Sequence, residues 1–113
     1  MAETPASEPT FRIGSIPVFG QLILAPMDGI SDPPFRWITR RLGSALSISE
    51  FVNTLDFANQ KHYQKSRLSF RAGERPFGAQ LLDNDPVRMA ECAAAIYDEY
   101  QPDFFDINLG CCT

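Results

Sequence analysis

Two cysteines, Cys111 and Cys112, stand side by side after a buried-looking strand, Phe105 to Leu109, and a glycine. A thiol presented in a tight turn after a strand can act as a nucleophile, a general acid or a metal ligand. The plain alternative is a small hydrophobe filling space. The residues alone leave both readings open for Cys111, while Cys92 falls inside a helical pattern and reads as core packing. Tetrahedral zinc wants ligands spaced to converge, typically two residues apart, and adjacent cysteines chelate poorly. His62, the only histidine, sits on the apolar stripe of a helical pattern. No metal centre is expected, and a redox dithiol is also spaced by two residues.

Amides come next. Gln80 lies in the apolar run "FGAQLL", and a buried amide without partners costs about 1–3 kcal/mol. It could meet the edge of a heteroaromatic ring, which offers complementary groups, or bond to a neighbouring strand's loop. Asn108 raises the same question. Asp106, between them in the chain, reads as structural, its carboxylate held by nearby backbone. In "APMDG", Ala25 and Gly29 let a flat ligand come close, and Met27 can lie against a ring. An ordinary strand-to-helix turn would look the same. Arg36, Arg40 and Arg41 read as a solvated basic side of a helix, and neither G-x-G-x-x-G nor a P-loop occurs.

These residues need elements to position them. Phe11–Ile13 and Ile16–Phe19, punctuated by Gly14 and Gly20, predict a small hairpin. "QLILAP" is continuously apolar, as a strand buried on both faces would be. "SDPPFRWITRRLG" predicts a helix capped by Asp32 and closed by Gly43, with Phe35, Ile38 and Leu42 on its apolar face. "SALSISEF" is a second strand, followed to about Gln64 by a weakly helical pattern with Phe51, Leu55 and Ala58 on one stripe. "KSRLSFRAGERP" is a polar loop and "PFGAQLL" a third strand. Asp85 and Pro86 open another helix, with Val87, Ala90, Ala94 and Tyr97 as its apolar face, and "DFFDINLG" is the fourth strand. Such alternation predicts parallel strands joined by helical crossovers. The unusual residues cluster just after strands, at Pro26–Gly29, Ser49–Glu50, Gln80–Asp83 and Asn108–Cys112. That mildly favours a barrel rim over an open doubly wound sheet.

Composition sets the outer limits. The 113 residues allow one domain at most, with 44% hydrophobic residues and 21% charged. A net charge of −4 argues against this segment alone as a strong nucleic-acid binder. Three cysteines, two of them adjacent, imply reduced thiols and a cytoplasmic setting rather than a disulfide framework. No apolar run approaches the roughly 20 residues of a membrane span, and residues 1 to 10 read as a disordered tail without secretory character.

Three stretches in order resemble the tRNA-dihydrouridine synthases. "LILAPMDGISDPPFR" is similar to that family's APMxGxTDxPFR signature, "FGAQLLDNDP" to its third strand, and "DINLGC" to its D-x-N-x-G-C-P motif. The resemblance covers about Ile13 to Cys111. It implies a TIM (β/α)8 barrel with FMN across the C-terminal face, and a helical C-terminal domain that helps hold tRNA. It implies that NADPH reduces the flavin, that hydride passes to C6 of a uridine, and that a cysteine protonates C5. On that pattern Cys111 is the general acid, Asn108 contacts the uracil, Gln80 meets the flavin ring edge, and Pro26 with Met27 lies beside the flavin. Cys112 stands where the family has proline, and Asp28 where alanine is common. A whole barrel needs about 250 residues. The chain therefore reads as residues 11–113 of an N-terminal half barrel, parallel-stranded, truncated after the fourth strand and inactive alone. A dihydroorotate-dehydrogenase-like flavin enzyme and a non-catalytic half-barrel module are the alternative readings.

Overall fold

Gly14, at φ +56°, turns the chain so that β1 (Phe11–Ile13) pairs antiparallel with β2 (Ile16–Val18), as the punctuation predicts. The computed structural model describes residues 7–60 and 62–111. The tail expected over residues 1 to 10 lies outside these as far as residue 6, as does Cys112. By Thr10 the chain is tied down, with its N–H on the Val18 carbonyl and its hydroxyl accepting from Gly20.

Helix α1 (Pro33–Arg41) starts where Asp32 accepts the Phe35 N–H and two prolines fill the first turn. After it come β3 (Ser47–Ile48), β4 (Val52–Asn53), α2 (Thr54–Ala58), α3 (His62–Ser66) and a 3-10 turn at Ala72–Glu74. The chain closes with β5 (Phe77–Leu82), α4 (Pro86–Tyr100) and β6 (Phe104–Ile107). Asp85 caps α4 by accepting from Val87 and Arg88. β5 is the middle of the sheet: β3 and β4 pair with it in parallel along one edge, β6 in parallel along the other. The molecule is an α/β fold built on a parallel sheet, and the sheet is open.

β3 and β4 are two parts of one strand interrupted by a bulge. Ile48 lies opposite Gly78 and Val52 opposite Leu81, so one strand spends an extra residue over the interval. Side chains of β5 alternate between two faces. Ala79 and Leu81 join Val52, Phe57, Leu68, Cys92 and Ile96 in the main core beneath the helices. Gly78, Gln80 and Leu82 take the other face. There Phe104 packs with the hairpin's Val18 and Ile13, and with Ala45, Leu46 and Ile48.

Several expectations fail for the same reason. The run "QLILAP" forms no ladder strand: its ties are the Ala45 N–H on the Leu22 carbonyl and the Leu24 N–H on Ser44 Oγ. Leu22 and Ile23 are exposed, so apolar content here does not mean burial on both faces. On α1 the stripe Phe35, Ile38 and Leu42 is exposed and Arg36 is buried instead. On α4 the exposed residues include Val87, Ala90, Ala94 and Tyr97, while Met89, Cys92, Ala93, Ile96 and Tyr100 face the core. That helix has two apolar stripes, and the period fits both. The segment after "SALSISEF" is strand and two short helices rather than one, burying Thr54 and Phe57 in place of Leu55 and Ala58. The "polar loop" buries Leu68 and Glu74.

Arg36 explains the last point. It is 1% exposed and does not line a solvated face. Its Nε meets Glu74 Oε1 at 3.2 Å, and its remaining nitrogens donate to the carbonyls of Arg67 and Ser69. Burial pulls the guanidinium's pKa down, and the Glu74 carboxylate opposes that shift. Arg40 likewise donates to the Ser44 and Arg75 carbonyls. Two of the three arginines thus hold loops together.

Candidate functional site

The carboxyl ends of the parallel strands carry the polar side chains, the usual location of sites in such sheets. Gln80 is opposite Asp106 in the β5–β6 register, and on the same face. Its Nε2 donates to Asp106 Oδ2 at 2.6 Å, so the aspartate is engaged by an amide and not by backbone, as its position had suggested. Asn108 Nδ2 donates to Gln80 Oε1 at 3.3 Å, and Asn108 Oδ1 accepts the Gly110 N–H at 3.0 Å. The Gln80 N–H goes to Ser49 Oγ in the bulge, which stands in for a ladder carbonyl. Gln80 is 7% exposed, and both its amide nitrogen and its amide oxygen have a partner, the outcome its burial demands.

In the turn that leads toward α1, the Met27 carbonyl accepts from Ile30 and Ser31, and Ser31 Oγ accepts from the Met27 N–H. This turn sets Pro26 and Met27 half-buried. The bulge aims the buried carboxylate of Glu50 at it, and the Gly29 N–H donates to Glu50 Oε2 at 2.6 Å. Arg67 closes the arrangement. Its Nη2 lies 2.7 Å from Asp28 and 3.7 Å from Glu50, and its Nη1 donates to the Phe51 carbonyl. Asp28 thus pairs with an arginine, and capping of the helix falls to Asp32.

Beyond β5, Asp83 receives a bidentate pair from Arg88, the Thr54 hydroxyl, and the N–H groups of Asn84 and Asp85. The Arg88 bonds hold its carboxyl well below the usual carboxylate range, against the opposing pull of burial. Between β4, β5 and the end of β6 lies a cavity of about 340 Å³, lined by Asn53, Asp83, Arg88, Asn108 and Cys111 among others. Cys111 is exposed at its rim, whereas Cys92 is buried and its thiol is pushed up to about 11, mainly by burial.

Of the residues singled out in the sequence, Gln80 and Asn108 are in direct contact, and Cys111 shares a cavity with Asn108. Pro26 and Met27 reach the same end of the sheet through Gly29, Glu50 and the bulge. Glu50 stood out in sequence only as a polar residue after a strand. Arg67 and Thr54 gave no signal, because the groups they bond lie 16 or more residues away. Asp83 stood out only within the cluster Gln80–Asp83, with nothing to mark Arg88, five residues on, as its partner. His62 is exposed and lines no core. Among the described residues no group of three or more His, Cys, Asp or Glu could hold a metal ion.

The same chain compares closely with proteins of one kind. The family model described as "Dihydrouridine synthase (Dus)" matches residues 23–113. The tRNA-dihydrouridine synthase B of Pseudomonas aeruginosa is 37% identical over 100 residues, 88% of this chain and 30% of that protein. That of Pseudomonas syringae pv. tomato is 41% identical over 103 residues, 88% of this chain and 29% of its own length. A probable tRNA-dihydrouridine synthase of Rhizobium leguminosarum is 39% identical over 94 residues, 83% of this chain and 29% of the relative. The chain thus spans under a third of the length of these relatives, and no solved structure matches it. The match runs through all the site residues described above, from Pro26 to Cys111, and places the chain in the dihydrouridine synthase family.

Proposed function

We propose that this chain is the N-terminal part of a TIM-barrel flavoenzyme that reduces uridine to 5,6-dihydrouridine in tRNA. The observation that carries the reading is the row Asp106, Gln80, Asn108, Gly110, which ends beside Cys111 at the carboxyl end of the sheet. Family membership supports the substrate class, as the relatives compared are named for that activity.

The residues present fit FMN. After bonding to Asp106 and Asn108, Gln80 keeps one hydrogen on Nε2 and one lone pair on Oε1, the complement of a ring edge that both accepts and donates. Pro26 and Met27, on a turn held by Glu50, supply the apolar flank. When bound, FMN would supply the hydride for C6 of the uracil, with NADPH as the reductant that restores it. Asn108 likewise keeps one hydrogen and one lone pair, and orients the uracil. Cys111 Sγ donates its proton to C5, leaving a thiolate that water reprotonates. Basic surface for tRNA has to come from outside these residues, given a net charge of −4. No helix among the described residues is long and apolar enough to cross a membrane.

The test uses the complete reading frame containing these residues, purified and assayed on unmodified tRNA. The expected result is bound FMN and dihydrouridine formation, with Cys111→Ala lowering kcat by about 10²–10⁴-fold, the range for loss of a general acid. Bound FMN without activity on tRNA would move the reading to a flavin enzyme of another substrate.

A further inference from the structure

The three hydrogen bonds of the central row share one direction. The Gly110 N–H donates to Asn108 Oδ1, Asn108 Nδ2 to Gln80 Oε1, and Gln80 Nε2 to Asp106 Oδ2. An amide can be turned over at little cost unless its partners distinguish nitrogen from oxygen. The row has partners that do so at both ends. A carboxylate only accepts and a backbone N–H only donates.

We propose that Asp106 is a positioning residue that fixes which atom each amide of the site presents. With the carboxylate opposite it in register, Gln80 must turn nitrogen toward β6 and oxygen toward Asn108. Asn108 must then turn its own nitrogen toward Gln80, which leaves Oδ1 for the Gly110 N–H. That last bond braces the turn immediately before Cys111. One charged group therefore orders the cofactor-facing amide, the substrate-facing amide and the start of the acid's turn. Each bond polarises the next, so the row holds its direction more firmly than its single bonds would. Asn in place of Asp106 could accept or donate, so the direction of the row would be held only by the neutral Gly110 N–H bond at its far end, and the reversed orientation of Gln80 would become more populated. The inference rests on the proposed reading only for what the amides face.

The experiment is made on the complete protein, with side-chain amide spectra by ¹H–¹⁵N NMR and FMN affinity by fluorescence titration. In the wild type, Gln80 and Asn108 should each give one set of slowly exchanging NH2 signals. In Asp106→Asn both sets should shift or double, and the FMN dissociation constant should rise roughly tenfold or more, the worth of one hydrogen bond to a charged group. Gln80→Met, which keeps the volume and removes the link, should disturb the Asn108 signals in the same way. It serves as the deciding variant if Asp106→Asn fails to fold. Unchanged Asn108 signals in Gln80→Met, or unchanged amide signals and FMN affinity in a folded Asp106→Asn, would overturn the proposal. If the wild type binds no FMN, the functional reading fails while the amide spectra still decide the positioning role.

Discussion

Asp83 is the residue whose charge the fold depends on most visibly. Its side chain is 4% exposed and every contact described for it is a donor. Because folding depresses its pKa, chiefly through Arg88, its stabilising contribution is present above the unfolded value of 3.8 and is lost as pH falls through the folded value. Removing the donor should bring that loss to higher pH. Arg88→Ala is expected to raise the midpoint of acid unfolding, followed by far-ultraviolet circular dichroism. A midpoint at the wild-type pH would mean that Thr54 and the backbone donors suffice. Cys92 has the opposite sign: burial raises its thiol from 9.0 to about 11, so it favours folding below 9.0 and ceases to as pH climbs through 11.

At the scale of elements, the register of β5 against β6 does the positioning, and Gly78 is what permits it. A Cβ at Gly78 would come within 2.2 Å of Phe104 Cε2, its partner in the ladder. The Phe104 ring fills the place a side chain would take, two residues before Gln80 and Asp106 meet on the same face. Gly78→Ala must displace that ring or shear the strands, and should cost about 1–3 kcal/mol in urea unfolding, the usual cost of overpacking. It should also weaken the Gln80–Asp106 contact, read as a shift of the Gln80 amide signals. The bulge between β3 and β4 is the second device. Its extra residue lets Ser49 receive the Gln80 N–H while Glu50 reaches the Gly29 N–H, so one irregularity serves both β5 and the turn before α1.

At the scale of the molecule, the apolar surface left uncovered is large for a chain of this size. Phe19, Leu22, Ile30, Ile38, Leu42, Val87, Tyr97, Ile107 and Leu109 are each more than half exposed. Among the described residues β6 pairs on one side only, with β5. A strand edge of this kind, flanked by apolar residues, promotes pairing with other chains. The 113 residues expressed alone should therefore associate with rising concentration in sedimentation velocity. Ile107→Lys, which places a charge at the end of that edge, should reduce the association. A strictly monomeric sample at high concentration would show that the edge is covered in solution.

By itself the sequence determined the caps and the local turns. Asp32, Asp85, the helix-opening prolines and Gly14 act through neighbours a few residues away, and each stands where its pattern places it. It also determined the parallel α/β order and the strand ends on which Gln80, Asn108 and Cys111 are carried. Only the tertiary structure decided which of two apolar stripes α4 buries, since both obey the helical period and the choice depends on what lies opposite. It decided as well that Arg36 is internal, because Glu74 and the carbonyls that receive it come from residues 31 to 38 positions away. The union of Asp106, Gln80 and Asn108 belongs to the same class. Their meeting rests on strand register, a long-range pairing that periodicity and residue type do not encode locally.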